Sequence, residues 1–156
     1  MRIAIGCDHH GLQLKGMLNV RLKDQGYEVE DMGTNSTDPV DYPDIASQVA
    51  EAVSQNHCQR GILICGTGIG MSITANKVPG IRAALCHDPF TARRSREHND
   101  ANILCFGGQT TEPSMARDIV ETFLETDFEG GRHLGRVEKI SSLESSLHTQ
   151  PRRHRP

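Results

Sequence analysis

No stretch of these 156 residues is apolar over anything near the roughly 20 positions that a bilayer crossing requires. No basic run appears before the last few residues, and the formal net charge of −3 argues against a general nucleic-acid binder. No C-x-x-C is present, which removes zinc ribbons and thioredoxin-like redox motifs. The five cysteines, Cys7, Cys58, Cys65, Cys86 and Cys105, are an odd number without a secretory signal and suggest no disulfide framework. The opening MRIAIGCDHH has a single positive charge, and its apolar run is shorter than the about 7–15 residues of a signal-peptide core. A cytoplasmic protein with neither a membrane nor a nucleic-acid partner is expected. There is no internal repeat, and there are too few strand–helix units for an eight-fold barrel.

What is present is a soluble composition, 36% apolar and 24% charged, at a length suited to one domain with its own core. Short apolar runs alternate with helical patterns. Strands are predicted at RIAIGC, YEVEDMG, GILIC, IRAALC and ANILCFGG. Helices are predicted at GLQLKGMLNVRLKDQ, stopped by Gly26, and at DIASQVAEAVSQ, with Asp44 as its cap. GMSITANKV, DPFTARRSREHN, EPSMARDIVETFLET and RHLGRVEKISSLESSL complete the set. Residues 149–156 are basic and poor in apolar side chains and read as a disordered tail, leaving 1–148 as one domain. Repeated βα units with near-continuously apolar strands predict a three-layer α/β/α doubly wound fold with a five-stranded parallel sheet.

Ligands of such sheets bind outside the carboxyl ends of the strands. Cys7-Asp8-His9-His10, Cys65-Gly66-Thr67-Gly68-Ile69-Gly70, Cys86-His87-Asp88 and Gly107-Gly108-Gln109 follow strands one, three, four and five. GTGIGM is not the dinucleotide fingerprint, because Met71 occupies the place of the third glycine, and it is not a phosphate loop. Its backbone N–H groups suit an anion cradle, the alternative being a plain tight turn. Cys65 before it reads as a thiolate stabilised by those amides or as a buried packing residue. Cys7, Cys86 and Cys105 also end predicted strands, lack the glycine amides and are assigned to packing. No cysteine spacing matches a metal-ligand pattern, so no metal is expected. His98 and Asn99 close the fourth helix on the wrong edge of the sheet for this site, unless a neighbouring subunit presents them. Arg132 and Arg136, at i and i+4, share a helix face that fits a phosphate or is simply a solvated basic face.

Together GCDHHG, DYP, ILICGTGIGMSITANK, GIRAA, SREHNDAN and EGGRHLGRVEKI resemble the type B ribose-5-phosphate isomerases, a family that includes allose-6-phosphate and galactose-6-phosphate isomerases. The resemblance runs from Arg2 to about Leu143. It implies a Rossmann-like domain that forms homodimers or tetramers with active sites between subunits, and a C-terminal helix packed on a partner. It implies aldose–ketose isomerisation of a sugar phosphate, ribose 5-phosphate to ribulose 5-phosphate, without a cofactor. By the same resemblance, Cys65 is the general base, and the amides of Gly66 to Gly70 hold the enediolate oxygen. Some members have Ser for Cys65 and a Glu further along the loop; Ile69 at that place puts this chain in the cysteine group. His98 of a partner opens the furanose ring, helped by Asp8 and Thr67. His9, Arg132 and Arg136 bind the phosphate, and Asn99 and Tyr42 contact the sugar.

Two positions depart from the family pattern. Gln109 replaces an Arg that helps bind phosphate in many relatives, which keeps another sugar phosphate, such as allose 6-phosphate or galactose 6-phosphate, open as substrate. His10 replaces a small apolar residue and either adds a contact near the phosphate or fills space. A non-catalytic sugar-phosphate-binding subunit is the other alternative. Asp8, Cys65, Thr67 and His98 in one chain argue against it.

Overall fold

The structure, a computed structural model, describes residues 1–148; the tail expected at 149–156 lies outside the described residues. Five strands, β1 (Arg2–Cys7), β2 (Glu28–Asp31), β3 (Arg60–Cys65), β4 (Ala83–Leu85) and β5 (Ile103–Gly107), pair in parallel in the order β2-β1-β3-β5-β4. Six helices connect or follow them: α1 (Leu12–Asp24), α2 (Tyr42–Ser54), α3 (Ile69–Ala75), α4 (Pro89–Asn99), α5 (Pro113–Glu125) and α6 (Arg132–His148). This is the expected three-layer α/β/α domain. None of the helices is long and apolar enough to cross a membrane.

Alternation along each central strand divides the core between the two faces. Ile3, Ile5, Ile62, Ile64, Leu104 and Phe106 pack toward α1, α4 and α5. Leu63, Cys65, Ile103 and Cys105 pack toward α2 and α3. Both sets are buried, so the strands read as unbroken apolar runs. At the end of α1, Gly26 has φ +87 and its N–H donates to the Lys23 carbonyl, while the Tyr27 N–H donates to that of Leu22. That pairing is a Schellman stop, and the left-handed position explains the glycine.

Several boundaries differ from expectation, among them those of α2, β4 and β5. Helix α2 starts at Tyr42, with Asp41 as its N-cap residue, so Asp44 lies inside the first turn. Pro43 sits in that first turn, where a missing N–H costs nothing, so the helix begins before the proline rather than after it. Strand β4 keeps only Ala83–Leu85, because side chains take over the ladder at its start. Asn102 Oδ1 accepts from the Arg82 N–H and Asn76 Oδ1 from the Ala83 N–H. Cys105 lies inside β5 rather than at its end.

A buried cation ties α1 to the β2 edge. The Lys15 side chain, 2% exposed, donates to both Asp31 carboxylate oxygens at 2.7 Å, to Asn35 Oδ1 at 2.7 Å and to the Gly33 carbonyl at 3.3 Å. These bonds anchor the loop that leads to Tyr42. Lys15→Met should cost about 2–4 kcal/mol of unfolding free energy, since Asp31 and Asn35 lose a shared buried donor. Urea unfolding measures this, and a loss under about 0.5 kcal/mol would show that the network contributes little.

Candidate active site

The carboxyl edge of the sheet gathers three loops. After β1, the buried Asp8 carboxylate accepts from the His10 N–H at 2.9 Å, and its carbonyl accepts from the Gly11 N–H at 3.0 Å. The carboxylate thus holds the turn that presents His9 and His10. The Val40 N–H donates to His9 Nδ1 at 3.4 Å, which places the remaining ring proton on Nε2. The His9 and His10 rings lie 4.2 Å apart, and the Gln109 side-chain amide donates to His10 Nδ1 at 3.1 Å. The two residues that depart from the family pattern therefore touch each other. Gln109 also lies over Gly66, where an added Cβ would come within 2.9 Å of its oxygen.

Cys65 ends β3 and is buried, and its Sγ accepts a hydrogen bond from the Gly68 N–H at 3.2 Å. Gly68 has φ +78, and a Cβ there would lie 2.7 Å from the Phe106 backbone, so only glycine turns its amide onto the sulfur. The Ile69 N–H donates to Thr67 Oγ1 at 3.3 Å. The expected cradle is thus partly engaged from within, since the amides of residues 68 and 69 face sulfur and hydroxyl rather than open space. Tyr42 lies against Gly70, where a Cβ would fall 2.5 Å from its ring. Thr67 and Ile69 are exposed at the rim.

The other thiols are held protonated. Burial first, then Asp31 and Asp8 against an opposing Lys15, push the Cys7 thiol up to about 12. Burial and a hydrogen bond to Glu30 raise Cys58 to about 11. Burial also raises Cys86 and Cys105.

A second cluster occupies the opposite edge. His98 sits in the last turn of α4 and Asn99 ends that helix; the Asn99 carbonyl accepts from Arg82 Nε at 3.0 Å. Arg132 and Arg136 are exposed at the start of α6. Between them His133 is buried, and its ring stacks on that of His98 with centroids 4.1 Å apart and an interplanar angle of 10°. Arg94 Nη1 lies 3.3 Å from His98 Nε2, and His133 Nε2 lies 3.3 Å from a Glu129 oxygen. Burial foremost, with His98, Arg132 and Arg136, lowers the His133 pKa against an opposing Glu129. Donor atoms of His98, Glu129 and His133 lie within 4.8 Å of one another, but a cation there would face the Arg94 and Arg132 guanidinium groups. Sequence reasoning missed His133, although it stands within the quoted GGRHLGR.

The two clusters do not meet within one chain. Cys65 is level with Gly107 at the end of β5, whereas His98 lies before its first residue, Ile103. The four parallel-strand steps of β5 alone put about 13 Å along the sheet between the level of Cys65 and that of Ile103. Asp8, His9, Tyr42, Cys65, Thr67 and the glycines come together on one edge; His98, Asn99, Arg132 and Arg136 come together on the other.

Known proteins share this arrangement of the chain. The model of the Ribose/Galactose Isomerase family matches residues 3–140. The ribose-5-phosphate isomerase B of Escherichia coli is 50% identical over 143 residues, 92% of this chain and 96% of that protein. The solved Clostridium thermocellum ribose-5-phosphate isomerase B superposes with a TM-score of 0.93 at 54% identity, covering 94% of this chain and 99% of the other. A Mycoplasma genitalium ribose-5-phosphate isomerase B with bound ribulose-5-phosphate gives 0.90 at 44% identity, covering 92% of this chain and 96% of that one. From strand order to glycine loop, the chain belongs to the ribose/galactose isomerase family.

Proposed function

We propose that this chain is an aldose–ketose isomerase that interconverts ribose 5-phosphate and ribulose 5-phosphate through a cis-enediolate, with Cys65 as the base. The observation that carries the assignment is the Cys65 sulfur held by the Gly68 N–H at 3.2 Å. The thiolate takes the proton from C2 of the open aldose, the C2 electron pair forms the enediolate, and the proton is returned at C1. The hydroxyl proton moves from O2 to O1, so the reaction is neutral overall and draws on no cofactor. The remaining loop amides, those of Gly66 and Gly70, receive the reacting oxygens together with Thr67, and Tyr42 lies against Gly70. His98 protonates the ring oxygen during opening, and Arg132 and Arg136 take the phosphate with His9.

Because the two clusters lie on opposite edges, the complete site needs two copies of the chain. The exposed stripe Ile140, Leu143 and Leu147 on α6 supports such pairing: it lines a groove of about 550 Å³ that also contains Asn99 of the second cluster. We assign the protein to the cytoplasm, where its five free thiols stay reduced. A hexose 6-phosphate is the second reading, favoured by the neutral Gln109, which is bonded to His10.

Four results are expected. Cys65→Ala should lower kcat by about a thousandfold. In the native protein at pH 8, iodoacetamide should label Cys65 in step with inactivation while the four raised thiols stay unlabelled; equal turnover by Cys65→Ala would remove the base. Cys65→Ala and His98→Ala proteins, each nearly inactive, should recover roughly a quarter of wild-type activity when unfolded, mixed and refolded, because half the dimers are mixed and each holds one intact site. No recovery would place both groups in one chain's site. Across a substrate panel, kcat/KM for ribose 5-phosphate should exceed that for allose 6-phosphate and galactose 6-phosphate by about tenfold or more; the reverse order would make the hexose phosphate the substrate.

A further inference from the structure

We propose that His133 is a positioning residue for ring opening, its buried imidazole being the platform that fixes the plane of the His98 ring. The inference rests on His98 being the group that opens the furanose. During opening the C1–O4 bond breaks and its electron pair goes to O4 with the proton from His98. The O1 hydroxyl then gives its proton to water as C1=O1 forms. That transfer needs the imidazole edge aimed at O4, and about 1 Å of misplacement can cost a hundredfold.

An imidazole in the last turn of a helix has two free side-chain torsions. Here its face is covered by His133 at 4.1 Å and 10°, and its edge is met by Arg94 at 3.3 Å. The platform is itself held on several sides. Its backbone N–H donates to the Gly130 carbonyl at 2.9 Å, and its Nε2 lies 3.3 Å from Glu129. The Glu129 N–H donates to the Glu97 carbonyl at 3.1 Å, so the segment carrying His133 is tied to the helix carrying His98. Among the described residues His133 Nδ1 is buried with no hydrogen-bond partner, an unusual cost for a residue whose only task is packing.

The surrounding charges fit the same role. Arg94 and Glu97 face the pair from α4, Glu129 from the loop, and Arg132 and Arg136 from α6. Burial foremost, with the neighbouring cations, lowers the His133 pKa and favours its neutral ring.

The test separates ring opening from proton transfer at carbon. Ribose 5-phosphate enters as a ring, whereas ribulose 5-phosphate is open-chain, and exchange of its C1 proton with deuterated water precedes any ring step. His133→Ala should lower kcat on ribose 5-phosphate by about ten- to a hundredfold while exchange from saturating ribulose 5-phosphate stays within about twofold. His133→Phe, which keeps a flat ring, should recover most of the loss. Equal slowing of both reactions, slowing of neither, or a Phe variant no better than Ala would overturn the proposal. His98→Ala is the control: it should show the same split more deeply. Unimpaired ribose 5-phosphate turnover by that variant would instead remove the role of His98 itself.

Discussion

A helix that joins two parallel strands must carry the chain from the carboxyl edge of the sheet back to its amino edge. Helix α4 obeys this: it begins at the carboxyl edge with Asp88 capping its first turn and ends at His98 and Asn99 on the far edge. Cys65 ends a strand and His98 ends a helix, so no side-chain rotation brings them together. A site that uses both is divided by topology, and a second copy of the chain is the economical way to reunite it. The apolar stripe of α6, beside Asn99, faces outward where such a copy would sit.

Within the carboxyl edge, close backbone approach is the controlling condition. The loops after β1, β3 and β5 crowd together, and Gly68 adopts a conformation and a spacing closed to other residues. The consequence is chemical, since the turn aims an N–H at the one cysteine that ends a central strand beside it. For Cys7, Cys58, Cys86 and Cys105, burial is the leading cause that drives the thiol toward its protonated form. One cysteine thus receives a backbone N–H on its sulfur, and four others are buried with raised thiols.

The far edge is organised by cations around a histidine pair. Arg94, Arg132 and Arg136 surround two stacked imidazoles, and Glu129 offsets part of that charge.

The sequence by itself determined the strands and helices, the strand-end location of Cys65 and the opposite location of His98. All of these follow from local periodicity, from glycine and proline at turns, and from the rule that crossovers return the chain. Gly26 stops α1 as expected, whereas Asp44 misled because Pro43 is as good inside a first turn as before it. Only the tertiary structure decided which way the Gly68 and Ile69 amides point, that His10 and Gln109 touch, and that His133 lies beneath His98. These pairings join residues 3, 2, 99 and 35 positions apart by the rotation of a peptide or the packing of a ring. Spacing along a chain carries residue identity and period, but the direction of an N–H or the plane of an imidazole is set by contacts made through space.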